Sequence, residues 1–132
     1  FFAAGFYNNP SDKLDVTAVT GTDGKTTVVN LAASVFANSF EDSAAIGTLG
    51  VVIYRKNQRK QVLQDYSPAN LTTPSAVILQ SIFDKLRNEQ IEKVFLEASS
   101  IGIITQRLQG TNIKTAVLKE EIFLQKFYQI PM

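Results

Sequence analysis

The sequence contains no cysteine, no histidine and no tryptophan. The first two absences exclude disulfides, thiolate nucleophiles, imidazole general bases and the usual zinc ligand sets, so any metal held here is hard and oxygen-bound. Charge of either sign is sparse: 13 basic and 12 acidic residues leave a formal net charge of +1, too weak a field to point to nucleic acid or a membrane surface. No apolar run approaches the roughly 20 residues of a membrane span, and the opening FFAAGFYNNP lacks the basic leader of a signal peptide. The expectation is a cytoplasmic monomer with small-molecule partners and neither nucleic acid nor membrane. The first residue is Phe1 rather than Met, which reads as a processing or fragment boundary.

What is present suits one folded domain: 132 residues, 45% of them hydrophobic and 19% charged, enough to bury a core. DVTAVT (15–20) is β-rich and ends at Gly21, after which Val28, Leu31, Ala32, Val35 and Phe36 recur at helical spacing. SAAIGTLGVVIY (43–54) reads as a strand broken by Gly47 and Gly50. RKNQRK then separates VVIY from QVLQ as in a β-hairpin near 51–64, with Arg55, Lys56, Arg59 and Lys60 as its solvated tip. Thr73 and Pro74 suit the N-cap and first position of a helix over about 74–89, its apolar face formed by Leu79, Ile82, Phe83 and Leu86. KVFLEASS (93–100) gives a short buried strand ending in a carboxylate, IGIITQRLQG a turn or helix, and KTAVL (114–118) another strand. Strand–helix–strand units predict an α/β fold with a mostly parallel, Rossmann-like sheet flanked by helices.

The chemistry concentrates in VTGTDGKTTV (19–28). A glycine turn between a strand and a helix aims several backbone N–H groups at one spot, where the helix dipole also favours negative charge, so a phosphate fits both. Gly21, Thr22, Asp23, Gly24, Lys25, Thr26 and Thr27 form this candidate P-loop: the glycines permit close approach, Lys25 reaches terminal phosphates, and the Thr26 hydroxyl ligates Mg2+. The loop is shorter than G-x-x-x-x-G-K-[ST], since Val19 occupies the position of the first glycine. Glu97, at the carboxyl end of its strand, either completes a Mg2+ shell with Thr26 or merely opens the next turn, with Ser99 as a helix cap. Thr72 and Thr73 either contact a ligand or cap a helix, and Arg107 either clamps an anion or lies exposed on a helix face.

Read in order, these stretches resemble the Mur ligase family, and within it the tripeptide synthetases that add the third amino acid to the peptidoglycan precursor. FYNNPSDKL resembles the segment entering the central ATPase domain, VTGTDGKTT the phosphate loop G-T-N-G-K-T-T, and AAIGTLG the strand and glycine loop that follow. LTTP resembles the family's substrate-contacting T-T-P, and EASSIG…R its E-V-S-S-H-G…R. The resemblance covers about residues 1–118, the N-terminal part of the central ATP-binding domain, and leaves 119–132 unassigned. It implies ATP and Mg2+ as cofactors, Lys25 and Glu97 as catalytic residues, and Thr26 with Glu97 as metal ligands. It also implies Thr72, Thr73, Ser99 and Arg107 as contacts to a UDP-linked muramoyl dipeptide, whose carboxylate becomes an acyl phosphate before the amine of a diamino acid attacks.

Four departures accompany the resemblance. Asp23 replaces the usual Asn and brings a negative charge beside the phosphates, Ile101 replaces the usual His, and the substrate-binding Gln aligns with Thr105, leaving Gln106 one position out of register. After Leu118 the family's T-N-L-x-R-D-H-L-D gives way to KEEIFLQKFYQIPM, without the His and lysine of a second Mg2+ site. The expectation is thus a fragment or truncated ligase unable to complete the reaction alone. The alternatives are a non-catalytic nucleotide or UDP-sugar-binding module derived from a Mur ligase, or another P-loop enzyme. A related folylpolyglutamate synthetase fits less well, because its loop carries G-K-G-S where this one has G-K-T-T.

Overall fold

A computed structural model describes residues 2–57, 60–63 and 72–119. Among these residues, four α-helices, α1 (Phe2–Phe6), α2 (Lys25–Ser39), α3 (Ala76–Asn88) and α4 (Ser100–Ile104), and a short 3-10 turn at Pro10–Lys13 accompany six strands. The strands are β1 (Asp15–Gly21), β2 (Ser43–Gly47), β3 (Gly50–Tyr54), β4 (Lys60–Leu63), β5 (Lys93–Glu97) and β6 (Ile113–Lys119). They form a single sheet in the order β4-β3-β2-β5-β1-β6. β2, β5, β1 and β6 run parallel, while β3 and β4 extend the sheet as an antiparallel pair.

The mostly parallel α/β sheet and the hairpin of the sequence reading are both present. The expected break in SAAIGTLGVVIY at Gly47 and Gly50 is a chain reversal: Gly47, Thr48, Leu49 and Gly50 turn the chain so that two antiparallel strands follow one another and Gly47 pairs with Gly50. Gly50 has φ 85°, a conformation that suits glycine.

Helices lie on both faces of the sheet, so the central strands are buried on both sides rather than alternating between core and solvent. Val16, Ala44, Ile46, Val94 and Leu96 pack with Val51 and Ile53 beneath α3, which contributes Leu79, Ile82, Phe83 and Leu86, all fully buried. Val19, Ala45 and Phe95 meet α2 on the other face. Of the expected α2 stripe, Val28, Ala32 and Phe36 pack against this core, but its centre is Val29, Ala33 and Ala37, which are buried, whereas Leu31 and Val35 are 61% and 54% exposed. Alanines let the helix backbone approach the sheet closely, and the two large residues beside them turn outward.

Two further readings are corrected. α3 is capped by Ser75, whose side chain accepts from the Ile78 N–H, so Thr73 and Pro74 precede the helix rather than open it. Arg55 is not part of a solvated tip; it bridges Asp42 at 3.1 Å and Glu89 at 3.3 Å, tying the end of β3 to the end of α3. Arg59 and residues 120–132 lie outside the described residues, and with them the expectations for the tail. Tyr54 donates to Asn30 Oδ1 at 2.8 Å, and burial pushes its phenol above the ordinary pKa, which keeps it a donor. Among the described residues, no helix is long and apolar enough to cross a membrane.

The α3 face holds the larger core, and Phe83 is among its largest fully buried side chains. Phe83→Ala is expected to cost about 3–5 kcal/mol of stability. Urea denaturation checks it, the midpoint falling at an unchanged slope.

Candidate active site

Strand order puts the carboxyl ends of β1 and β5 side by side: Val19 pairs with Glu97, and the Ala98 N–H donates to the Val19 carbonyl at 2.8 Å. Chain leaving β1 forms the glycine loop, and chain leaving β5 presents Glu97. In an open α/β sheet this is the edge where ligands collect.

The loop turns on Gly21 (φ 139°) and Gly24 (φ 81°), both in the region that a side chain makes costly. Gly24 is the N-cap of α2 and has no side chain with which to cap it, so the first-turn N–H groups face outward from a positive dipole end. Thr22, Asp23 and Thr27 are exposed on this loop and the first turn, while Lys25 and Thr26 are half-buried. Lys25 folds back over the loop, its Nζ donating to the Gly21 carbonyl at 2.8 Å. Its ammonium is therefore held at the mouth of the cradle and does not neutralise Asp23.

Glu97 is only 1% exposed, and three donors hold its carboxylate. Thr26 Oγ1 donates to Oε1 at 2.9 Å, the Thr48 N–H donates to Oε2 at 2.8 Å, and Thr48 Oγ1 lies 3.3 Å from Oε1. Charge-assisted bonds of this kind offset the cost of burying a carboxylate. Gly47 makes room: a Cβ there would fall 1.9 Å from Glu97 Oε2.

The other residues singled out in the sequence converge on Thr73, which is fully buried. Its Oγ1 donates to the Glu97 carbonyl at 2.8 Å and accepts from the Ser99 N–H at 3.0 Å. With that proton committed, Ser99 Oγ is the donor in the 3.2 Å contact between the two hydroxyls. Ser99 also caps α4 by accepting from the Gly102 N–H at 3.0 Å, so its capping reading holds beside its contact to Thr73. Gly102 is required for this closeness, since a Cβ there would lie 2.8 Å from Thr73 Cβ. Arg107 Nη1 donates to the Thr73 carbonyl at 3.2 Å, and Thr72 Oγ1 lies 3.3 Å from Thr48 Oγ1. Gln106 is exposed at φ 61°, and Ile101 is 63% exposed. Thr48 was the residue missed; the turn Gly-Thr-Leu-Gly signalled a reversal, and nothing in it announced a carboxylate partner.

The donor set fits Mg2+. The ion takes octahedral oxygen ligands at roughly 2.0–2.1 Å, which places neighbouring ligands about 2.9 Å apart. Thr26 Oγ1 and Glu97 Oε1 already stand 2.9 Å apart. Among the described residues there is no cluster of three or more Asp or Glu side chains that would form an all-protein cage.

The profile of the Mur ligase middle domain matches residues 19–120. The chain belongs to the Mur ligase family. It is 34% identical over 116 residues to the UDP-N-acetylmuramoyl-L-alanyl-D-glutamate–2,6-diaminopimelate ligase of Chlamydia trachomatis serovar D, covering 88% of this chain and 22% of that protein. The same-named ligase of Caulobacter vibrioides is 36% identical over 99 residues, 75% of this chain and 20% of its own. A solved structure of a ligase of that name superposes with a TM-score of 0.63 at 33% identity, covering 80% of this chain and 19% of that one. The chain thus spans about a fifth of the length of these Mur ligases.

The Gly47 contact gives a test of the geometry. Gly47→Ala is expected to cost about 1–3 kcal/mol of stability by displacing Glu97 from the Thr48 N–H. Denaturation of the Gly47→Ala/Glu97→Ala pair checks the cause: the added methyl costs far less once the carboxylate is gone.

Proposed function

We propose that this chain is the nucleotide-binding part of a Mur ligase that adds the third amino acid, a diamino acid, to UDP-N-acetylmuramoyl-L-alanyl-D-glutamate. The observation that carries this reading is the continuous hydrogen-bonded chain from the phosphate loop to the T-T-P segment, through Thr26, Glu97, Thr73 and Ser99. The reading as a P-loop enzyme of another kind would need the 72–107 region to lie away from the loop, whereas Thr73 bonds the Glu97 carbonyl. The names borne by the relatives supply the substrate class.

In this reading Lys25 and the first-turn N–H groups of α2 bind the β- and γ-phosphates of ATP. The Lys25 ammonium exchanges its bond to the Gly21 carbonyl for a phosphate oxygen. Thr26 and Glu97 hold Mg2+, which when bound offsets charge on the phosphoryl group in transfer. A carboxylate oxygen of the muramoyl dipeptide attacks the γ-phosphorus, ADP leaves, and an acyl phosphate results. The amine of the diamino acid then displaces inorganic phosphate and loses a proton. Thr72, Thr73, Ser99 and Arg107 are assigned to the dipeptide side. The whole reaction is that of the full-length ligases, and this chain supplies the phosphoryl end of it in the cytoplasm.

Calorimetry with Mg·ATP tests the assignment. Lys25→Ala is expected to weaken binding by about 10- to 100-fold, the worth of a charged hydrogen bond to phosphate. Equal heats for the two proteins would remove Lys25 from the phosphate site. Asp23→Asn, which removes a like charge from the loop, is expected to tighten Mg·ATP binding by about two- to fivefold in the same measurement, and less at high salt.

A further inference from the structure

The Gly47–Gly50 reversal does more than connect β2 to β3. It delivers one residue, Thr48, to the carboxylate at the centre of the site, and it does so with two atoms. The backbone N–H takes Oε2 of Glu97 at 2.8 Å and the hydroxyl reaches Oε1 at 3.3 Å. A carboxylate held at both oxygens by one turn is hindered from rotating about its last bond. Its Oε1 stays aimed at Thr26 Oγ1, the pair whose spacing suits a divalent cation.

The Thr48 hydroxyl also lies 3.3 Å from Thr72 Oγ1, and it has a single proton to give. Glu97 and Thr72 compete for it. The carboxylate is the stronger acceptor of the two, and a cation at Oε1 would take the place of the Thr26 proton there, leaving the bond to Thr48 in place.

We propose that Thr48 is a positioning residue: it locks the Glu97 carboxylate for the divalent cation through its backbone N–H and its hydroxyl. The proposal rests on the nucleotide reading above and adds to it a residue outside both the phosphate loop and the T-T-P segment.

The test measures ATP affinity of this chain by calorimetry, once with Mg2+ and once with EDTA, and takes the ratio. Thr48→Val keeps the shape and the backbone N–H but removes the hydroxyl. It is expected to lower the Mg2+-dependent gain about three- to tenfold while leaving affinity in EDTA within about twofold, a weak charged hydrogen bond's worth. Thr48→Ser, which keeps the hydroxyl, restores the gain. An unchanged ratio in Thr48→Val, an equal loss with and without Mg2+, or a Thr48→Ser variant that fails to recover would each overturn the positioning role. Absence of Mg·ATP binding by the unmodified chain would instead overturn the nucleotide reading beneath it.

Discussion

The arrangement depends on one buried carboxylate and its three donors. Glu97 ends β5 between the first turn of α2 and the β2–β3 reversal, and it accepts from Thr26 and from both the backbone and the side chain of Thr48. Without them, an ionised carboxylate at 1% exposure would carry an unbalanced desolvation cost of several kcal/mol. With them it becomes a junction joining three segments remote in sequence.

Sheet order makes this junction possible. β5 enters the sheet between β1 and β2, although both of those strands precede it in the chain. Its carboxyl end is consequently flanked by the turn leaving β1 and the turn leaving β2, each carrying glycine where the carboxylate or the backbone needs space. Gly47 admits Oε2, and Gly21 and Gly24 allow the loop to bend back over the helix end. Parallel neighbours produce this convergence because all their carboxyl ends lie on one edge.

Much of this was legible in the sequence. The β1–loop–α2 unit announced itself through β-branched residues, a glycine turn and a helical run, and α3 through four large apolar residues at helical spacing that are all fully buried. What was obscure has physical reasons. On α2, Val28, Ala32 and Phe36 were read correctly as core-facing, but Ala33 and Ala37 were passed over because alanines carry little hydrophobic signal, yet they are fully buried. Thr73 read as a cap because Thr-Pro suits one, but tertiary contact with Glu97 and Ser99 claimed its hydroxyl, and Ser75 supplied the cap. Arg55 looked solvated because its partners Asp42 and Glu89 come from other elements. Long-range pairing of this sort leaves no trace in local pattern.

The two ties at Glu97 bear on how its neighbours move. Thr26 and Thr48 hold the side chain, while Thr73 holds the backbone carbonyl of the same residue. Thr73 in turn bonds Ser99 through its hydroxyl and Arg107 through its carbonyl. A shift of the T-T-P segment therefore pulls on the strand end that carries the carboxylate, through short bonds in a region with no slack: Gly102 and Gly47 already sit closer to these groups than any larger residue could. Packed interiors pass on such displacements rather than absorb them. Residues assigned to nucleotide and to dipeptide are thus joined through Glu97 by direct hydrogen bonds, so misplacement on either side is passed to the other. For a reaction that joins two substrates at a phosphoryl group, fixed relative position is the chief thing a protein can supply.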